Sequence, residues 1–262
     1  MKIAAYQFAV AGRISENLET MKKAIEEAAK EDVKLLAFPE CALTGYPPHD
    51  IASSAEVNFA ELDKAYDVLQ KAADDNAMHL IVGTVLRKED IYYNSAIIFA
   101  PNRARQYYHK RALWGWDKDN FAVGNEDGIF DIDGLKVGIR ICYEVRFPEF
   151  FRELYKKSTN LNVILFYDAA DYDHKERYDV IKGHIVTRAV ENVTHTLSVN
   201  TIYPYQTAPT ALYDKSGYVL SELERNKEGL LVYDLEIEPS NFGEQGRIEI
   251  SDWLMGKWQM RE

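Results

Sequence analysis

The chain has 262 residues, a length that suits one large α/β domain or two small ones. Its hydrophobic content of 47% is sufficient for a buried core, which excludes an intrinsically disordered chain. There are 31 basic and 42 acidic residues, which give a formal net charge of −11. Binding to a phosphate backbone relies on clustered positive charge, so a nucleic-acid partner is not expected.

Cysteine content and hydropathy indicate the compartment. Two cysteines, Cys41 and Cys142, cannot form a disulfide framework and favour a reducing environment. The apolar start of the chain is interrupted by Gln7 and has no basic lead-in, so it predicts a strand and not a signal peptide. No apolar run approaches the roughly 18 residues of a membrane span. The sequence therefore predicts a cytoplasmic protein without a membrane segment.

Strands and helices alternate through the first half of the chain. Short apolar or alternating segments predict strands over residues 2–10, 33–38, 79–86, 92–100 and 105–110. A helix is predicted from about Ile14, with Ser15 as its N-cap, and a second helix begins at Asn58. The second strand stops just before Glu40.

The second half repeats this alternation. Strands are predicted over residues 128–134, 135–143, 162–166, 194–202, 210–214, 218–223 and 229–237, and helices over 148–157 and 174–191. No linker or low-complexity stretch separates the halves, so residues 1–262 are predicted to form one α/β domain with helices outside and strands inside. Glu40, Cys142 and Asp168 each follow a predicted strand, where open α/β sheets place their ligands.

Cys142 has two interpretations. It ends the apolar run VGIRIC, and charged residues follow at once. Free cysteine is among the most buried residue types, so packing is the simpler role. A nucleophile is the alternative, because a nearby cation or the helix predicted from Pro148 would lower the pKa of the thiol from about 8.5. The six histidines form no recognisable Cys–His signature, which disfavours a papain-like protease.

Motifs for metals and nucleotides are missing from the sequence. HExxH, paired CxxC, Walker and dinucleotide glycine patterns do not occur, so no metal and no cofactor is predicted, and a doubly wound nucleotide-binding protein is disfavoured. The acidic stretch 168–174 lacks the glycine and the glutamate of an EF-hand, and its acids are interpreted as loop or cavity-wall residues.

Three ordered segments, LLAFPECALTGY, YYHKRALWG and VGIRICYEVRFPE, resemble the catalytic motifs of the nitrilase superfamily, the carbon–nitrogen hydrolases. The resemblance runs from the first strand to about residue 200 and implies a four-layer αββα sandwich. It also implies a triad in which Glu40 is the general base, Lys110 the electrostatic stabiliser and Cys142 the nucleophile. The backbone N–H of Tyr143 is expected as a second oxyanion donor. Amide cleavage needs such a nucleophile, proton carrier and fixed positive charge.

The chain departs from the family pattern at two positions. The second glutamate usual after the lysine is replaced by Asp117 or Asp119, of which Asp117 fits the spacing better. Both aspartates are alternatively solvated loop residues. Asp168 stands where the family usually has proline, and it either favours a substrate with a cationic end or caps the following turn.

A substrate cavity is expected beside the triad. Its expected lining comprises Tyr46, Trp114, Trp116, Asp168 and Ala169, although aromatic residues near strand ends are often simple core. Arg146 and Arg188 are expected in structural ion pairs, and Cys41 in packing. Replacement of Lys110 is expected to reduce turnover more than folding.

The sequence thus predicts an amidase-type hydrolase that cleaves a small non-peptide amide or carbamoyl compound through a cysteine thioester. A nitrilase is one alternative, because the same triad serves both reactions. A catalytically silent binding or scaffold protein of the same fold is the other. The resemblance implies a homodimer or larger homo-oligomer, packed through the helices near residues 148–157 and 174–191.

Overall fold

Two six-stranded mixed sheets form the centre of the protein in the computed structural model, which describes residues 1–256. The strands are β1 (Lys2–Gln7), β2 (Leu35–Ala37), β3 (His79–Lys88), β4 (Ile91–Phe99), β5 (Gln106–His109), β6 (Ile129–Ile132), β7 (Leu135–Ile141), β8 (Leu161–Phe166), β9 (Ala169–Ala170), β10 (His195–Asn200), β11 (Tyr205–Gln206), β12 (Ala211–Tyr213), β13 (Val219–Glu222) and β14 (Gly229–Asp234). The α-helices are α1 (Ile14–Lys30), α2 (Phe59–Asn76), α3 (Trp116–Asn120), α4 (Pro148–Lys156), α5 (Lys175–Asn192) and α6 (Phe242–Leu254).

The two sheets have matching topologies. The first has the order β14-β1-β2-β3-β4-β5 and the second the order β13-β12-β10-β8-β7-β6. Three neighbouring strands are parallel in each sheet, namely β1, β2 and β3 in the first and β10, β8 and β7 in the second. Parallel strands end at a common edge of their sheet, and open α/β sheets bind their ligands at that edge. β2 and β8 are the middle strands of the two parallel sets, so the residues that follow them reach this edge.

Three apolar clusters join four layers. The first cluster lies between the first sheet and the helices α1 and α2, and it includes Met21 and Leu69. The second fills the space between the two sheets, and the third joins the second sheet to α4 and α5 through Phe151 and Ile185. Apolar burial of this kind contributes about 25 cal/mol per Å². The predicted α/β fold, a four-layer αββα sandwich, is confirmed.

Helix starts test the sequence predictions locally. Asn58 caps α2 as predicted, since its side chain accepts a hydrogen bond from the Glu61 N–H at 3.3 Å. The prediction of Ser15 as a cap is wrong, because α1 already begins at Ile14 and has no side-chain cap. The sequence analysis also missed α6, which Asn241 caps. Its apolar residues form no buried stripe, and Phe242 is 93% exposed.

Within residues 1–256, no helix combines the length and the apolar character needed to span a membrane. The predicted domain extends to residue 262, and its residues 257–262 lie outside the described part of the chain. The assignment of one domain to residues 1–262 stays a prediction.

Candidate active site

The ends of the two central strands meet. Glu40 follows β2, and its backbone N–H donates a hydrogen bond to the Phe166 carbonyl at the end of β8, at 3.2 Å. In return the Tyr167 N–H donates to Glu40 Oε2 at 2.8 Å. Gly83 on β3 makes room for this turn, because a Cβ there would lie only 2.0 Å from the Pro39 carbonyl oxygen. The backbone thus fixes the Glu40 carboxylate between the sheets.

A buried cluster of one cation and two acids surrounds Lys110. Its Nζ lies 2.7 Å from Glu40 Oε1 and 2.7 Å from Asp117 Oδ2. Lys110 and Glu40 have side chains only 2% and 1% exposed. Asn94 Nδ2 donates to Glu40 at 2.6 Å, and the Tyr46 hydroxyl donates to Asp117 Oδ1 at 2.8 Å. Each charge is therefore hydrogen-bonded, as burial requires.

The structure distinguishes the two candidate second acids. Asp117 is buried on α3 and bound to Lys110, so the solvated-loop interpretation is wrong for this residue. Asp119 is exposed to solvent two residues further along the same short helix. The geometry brings Asp117, and not Asp119, to the lysine.

Burial sets the protonation of this cluster. Burial raises the pKa of the Glu40 carboxyl, and the nearby charge of Asp117 adds to the rise, while Lys110 opposes it. For Lys110 burial alone would lower the pKa, but the Glu40 and Asp117 carboxylates outweigh it and hold the pKa well above its usual range. Lys110 is therefore a fixed positive charge, and Glu40 takes up a proton more readily than an exposed glutamate does.

Cys142 lies at a sharp turn after β7. Its φ of 44° is in the left-handed region, which is uncommon for residues other than glycine. A 3₁₀ helix, Cys142–Arg146, begins at this residue. The backbone N–H groups in the first turn of such a helix lack an intrahelical acceptor, and Tyr143 supplies one of them. A cysteine on a strained strand-to-helix turn, beside a free backbone donor, is the arrangement of a nucleophile elbow.

Glu144 connects the turn of Cys142 to the loop of Lys110. Its buried carboxylate accepts a hydrogen bond from the Ile141 N–H through Oε2 at 2.7 Å, directly before the cysteine. Its Oε1 accepts from the Arg111 N–H at 2.7 Å, directly after the lysine, and from the Tyr108 hydroxyl at 2.8 Å. One side chain thus fixes the backbones on which both residues stand.

The surroundings of Cys142 favour the thiol over the thiolate. Burial raises the pKa of Cys142 well above its usual range, and the negative charge of Glu40 adds to the rise, whereas Lys110 opposes it. The sequence analysis considered a pKa lowered by a cation or by the helix at Pro148. The structure gives the opposite direction, because the low-dielectric surroundings disfavour the thiolate more than Lys110 favours it.

A cavity of about 370 Å³ opens above these residues, and both Lys110 and Cys142 line it. All the residues expected in the substrate cavity also line it: Tyr46, Trp114, Trp116, Asp168 and Ala169. Tyr46 stacks on Tyr167 with ring centroids 4.9 Å apart, and His49 meets Trp116 edge-on at 4.8 Å. One wall of the cavity is therefore aromatic, and Trp114 and Trp116 stand exposed at its mouth.

Asp168 is paired within the chain. Its carboxylate accepts two hydrogen bonds from the Arg177 guanidinium, from Nε at 2.9 Å and from Nη2 at 3.0 Å, and a further one from the Thr207 hydroxyl. Arg177 already supplies a cation to Asp168, which argues against the hypothesis that Asp168 favours a cationic substrate. Capping of the following turn does not describe this carboxylate either.

Three further expectations are resolved by contacts. Arg188 forms the expected ion pair, with Glu191 at 2.6 Å. The expectation is wrong for Arg146, which makes no ion pair among residues 1–256 and instead lines the cavity, 5.8 Å above the Tyr143 ring. Cys41 is fully buried in the first apolar cluster, as expected.

The sequence analysis missed several residues of the site, among them Glu144, Asn94, His49, Tyr167 and Arg177. Asn94 had a signal, since it is a polar side chain in the otherwise apolar run of β4. His49, Tyr167 and Arg177 had none, because each comes from a loop or from a first helical turn, where periodicity does not indicate a direction. Among the described residues, no group of three or more His, Cys, Asp or Glu side chains has an arrangement suited to a metal ion.

Comparison with known proteins identifies the family. The sequence model of the carbon–nitrogen hydrolases matches residues 2–239. The chain belongs to this family. The hydrolase is 29% identical over 247 residues to the 2-oxoglutaramate amidase of Bacillus subtilis (strain 168), an alignment that covers 91% of this chain and 92% of that one. The sequence-based prediction of the family is confirmed.

Solved structures agree. An amidase from Nesterenkonia sp. AN1 superposes on the hydrolase with a TM-score of 0.81 and 25% identity, over 99% of this chain and all of that one. A mutant of that amidase, at a TM-score of 0.79 and 25% identity over 97% of this chain and 99% of that one, carries acrylamide added to its active-site cysteine. The prediction of an amidase-type carbon–nitrogen hydrolase is confirmed by these comparisons.

Proposed function

We propose that the protein hydrolyses a small non-peptide amide through a thioester on Cys142, with Glu40 as proton carrier and Lys110 as electrostatic stabiliser. One observation carries the proposal: a cavity lined by the thiol also meets a buried lysine that two carboxylates hold at 2.7 Å. The amidase names of the relatives support an amide substrate.

The first half-reaction forms the thioester. Because the surroundings of Cys142 favour the thiol, the attack needs a base, and Glu40 accepts the proton as Sγ bonds to the amide carbon. Lys110 Nζ and the Tyr143 N–H stabilise the oxyanion, and such a donor contributes about 3 kcal/mol. Glu40 then returns the proton to the leaving nitrogen, the C–N bond breaks, and ammonia or an amine departs.

The second half-reaction releases the acid. Glu40 removes a proton from a water molecule as the water oxygen bonds to the thioester carbon. The C–S bond then breaks, and Glu40 returns that proton to the thiolate. Asp117 stabilises the charged form of Lys110 throughout, since its carboxylate lies 2.7 Å from Nζ. The reaction consumes one water and restores the thiol.

A panel of aliphatic amides and the corresponding nitriles tests the proposal. We expect ammonia release from amides by the wild-type protein and none from Cys142→Ala. Glu40→Gln should form the thioester adduct on Cys142 much more slowly than the wild type, which mass spectrometry can follow. Cys41→Ala is the matched control and should keep its activity, because Cys41 is buried in packing.

Two outcomes favour the alternatives. Turnover of nitriles without turnover of amides would indicate a nitrilase. A protein that releases no ammonia from either class, and whose Cys142 resists iodoacetamide, would be a silent scaffold.

We further propose a cytoplasmic homodimer or larger homo-oligomer. Both cysteines are free, which suits a reducing compartment. Helices α4 and α5 cover the outer face of the second sheet, and Val180 on α5 is exposed there, which suits packing against a second copy. Light scattering after gel filtration tests this state, and a monomer at micromolar concentration would contradict it.

A further inference from the structure

A pair of oppositely charged residues at the cavity wall has no role in the proposed chemistry. Asp168 and Arg177 both line the cavity that holds Cys142. The two members differ in exposure: the Asp168 side chain is 8% exposed, whereas that of Arg177 is 42% exposed. The pair therefore buries its anion and presents its cation.

Hydrogen bonding leaves part of this cation free. A guanidinium has five N–H donors, and Asp168 engages only Nε and Nη2 of Arg177. Nη1 of Arg177 has no hydrogen-bond partner among residues 1–256. Asp168 Oδ1 also accepts a hydrogen bond from the Thr207 hydroxyl, which holds the carboxylate in place. The acid thus orients the guanidinium.

A second arginine adds to the positive charge of the same wall. Arg146 lines the cavity and makes no ion pair with any of the described residues. The acids Glu40 and Asp117, by contrast, are directed to Lys110. Arg177 and Cys142 line the same cavity, so a substrate that reaches the thiol can also reach the guanidinium.

We propose that Arg177, oriented by Asp168 and assisted by Arg146, binds a carboxylate at the far end of the substrate, so that the enzyme prefers the monoamides of short dicarboxylic acids to neutral amides. This inference rests on the proposed amidase function and specifies its substrate class. A guanidinium held by one carboxylate presents its remaining N–H groups in a plane, the geometry that recognises a second carboxylate.

A matched pair of substrates isolates the charge. Succinamate and butanamide have the same chain length and differ in a carboxylate against a methyl group. We expect wild-type kcat/KM to be higher for succinamate, and malonamate and glutaramate will show which length spans the cavity. Arg177→Gln should raise the KM for succinamate roughly 10- to 100-fold, the range for losing a hydrogen bond to a charged group, and change that for butanamide less than about twofold.

Control variants separate recognition from structure. Arg177→Lys keeps the charge but loses the fork and should give an intermediate KM for succinamate. Arg146→Gln tests the assisting cation in the same way. Arg13→Gln removes an ion-paired arginine that does not line this cavity, and it should change neither KM.

Failure of the inference differs from failure of the proposed function. Hydrolysis of butanamide through Cys142 without any preference for succinamate, or equal losses on both substrates in Arg177→Gln, would overturn the carboxylate site and leave the amidase intact. Protection of Cys142 from iodoacetamide gives a measurement that does not need turnover. If succinamate protects the thiol no better than butanamide, the carboxylate site is contradicted even when neither compound is hydrolysed.

Discussion

Two acids stand at matching positions in the two sheets. Glu40 follows the central strand β2 of the first sheet, and Asp168 follows the central strand β8 of the second. Each is paired with a cation from a later part of the chain, Glu40 with Lys110 at 2.7 Å and Asp168 with Arg177 at 2.9 Å. The first pair is buried on both sides, whereas the second exposes its arginine to the cavity.

This difference in burial separates chemistry from recognition. A low dielectric strengthens every charge interaction, so the Glu40–Lys110 pair acts strongly on an oxyanion or a proton that forms beside it. The same burial makes the pair costly to break. The Arg177 side chain is 42% exposed, so its guanidinium can exchange solvent for a ligand without a large loss of stability. An acid–cation pair thus suits catalysis when both side chains are buried, and substrate recognition when its cation is exposed.

Breaking the buried pair has the largest expected effect. Lys110→Ala leaves Glu40 and Asp117 buried without their cation, so we expect the free energy of unfolding to fall by about 3–5 kcal/mol. Loss of the oxyanion donor should lower kcat by about 10²–10³. Urea unfolding and ammonia release measure the two effects. The burial of Lys110 thus changes the sequence-based expectation that turnover suffers more than folding.

Lys71→Ala provides the control for this prediction. Lys71 is paired with Asp75 at 2.8 Å on the surface of α2, so its removal should cost less than about 1 kcal/mol. Equal unfolding midpoints for Lys110→Ala and Lys71→Ala would show that burial does not increase the contribution of an ion pair to stability.

The sequence predicts the Glu40–Lys110 pair better than the Asp168–Arg177 pair. Glu40, Lys110 and Cys142 lie in three ordered motifs that resemble those of the nitrilase superfamily, and that resemblance implies that the three side chains converge. Asp168 follows a strand, but its role depends on its ion pair with Arg177, nine residues later. The direction in which Arg177 points is set by how α5 packs on the second sheet, which no local pattern encodes.

Removing the base tests the role of Glu40 in the buried pair. Glu40→Gln should lower kcat/KM by about 10²–10⁴. Burial raises the pKa of Glu40, and the base must be ionised to accept a proton. Wild-type kcat/KM should therefore fall as the pH decreases through this raised pKa, at a higher pH than the ordinary value of about 4.3 would give.

A pH profile of kcat/KM for a neutral amide measures this fall at low pH, the acid limb of the profile. The residual activity of Glu40→Gln should lack it, whereas Asp168→Asn should keep it. An acid limb that persists unchanged in Glu40→Gln would assign it to another group.

Replacement of Glu144, which connects the loops of Cys142 and Lys110, has a smaller expected effect. Glu144→Gln places an amide N–H₂ against backbone donors on one side of the link, either at Ile141 or at Arg111. As Glu144 is a positioning residue, we expect kcat to fall about 10-fold with little change in KM, and alkylation of Cys142 by iodoacetamide to slow. A buried donor left unsatisfied costs about 1–3 kcal/mol of stability.

Glu153→Gln is the matched control for the link. Glu153 also binds Arg111, at 2.6 Å, but through the guanidinium and with a side chain 44% exposed. Its kcat should stay within about twofold of the wild type. Equal kcat values for the two glutamate variants would assign Glu144 a role in folding alone.

The smallest expected effect belongs to the Asp168–Arg177 pair, which buries its acid and exposes its arginine. Asp168→Asn removes the negative charge but keeps one acceptor for Arg177, whose guanidinium can turn to water. We therefore expect the free energy of unfolding to fall by about 1 kcal/mol or less, and kcat for butanamide to stay within about twofold. The KM for succinamate should rise less than in Arg177→Gln, because the cation remains and only its orientation is lost. A destabilisation as large as that of Lys110→Ala would mean that both pairs are structural supports of equal weight, and the depth of a pair would then say nothing about its task.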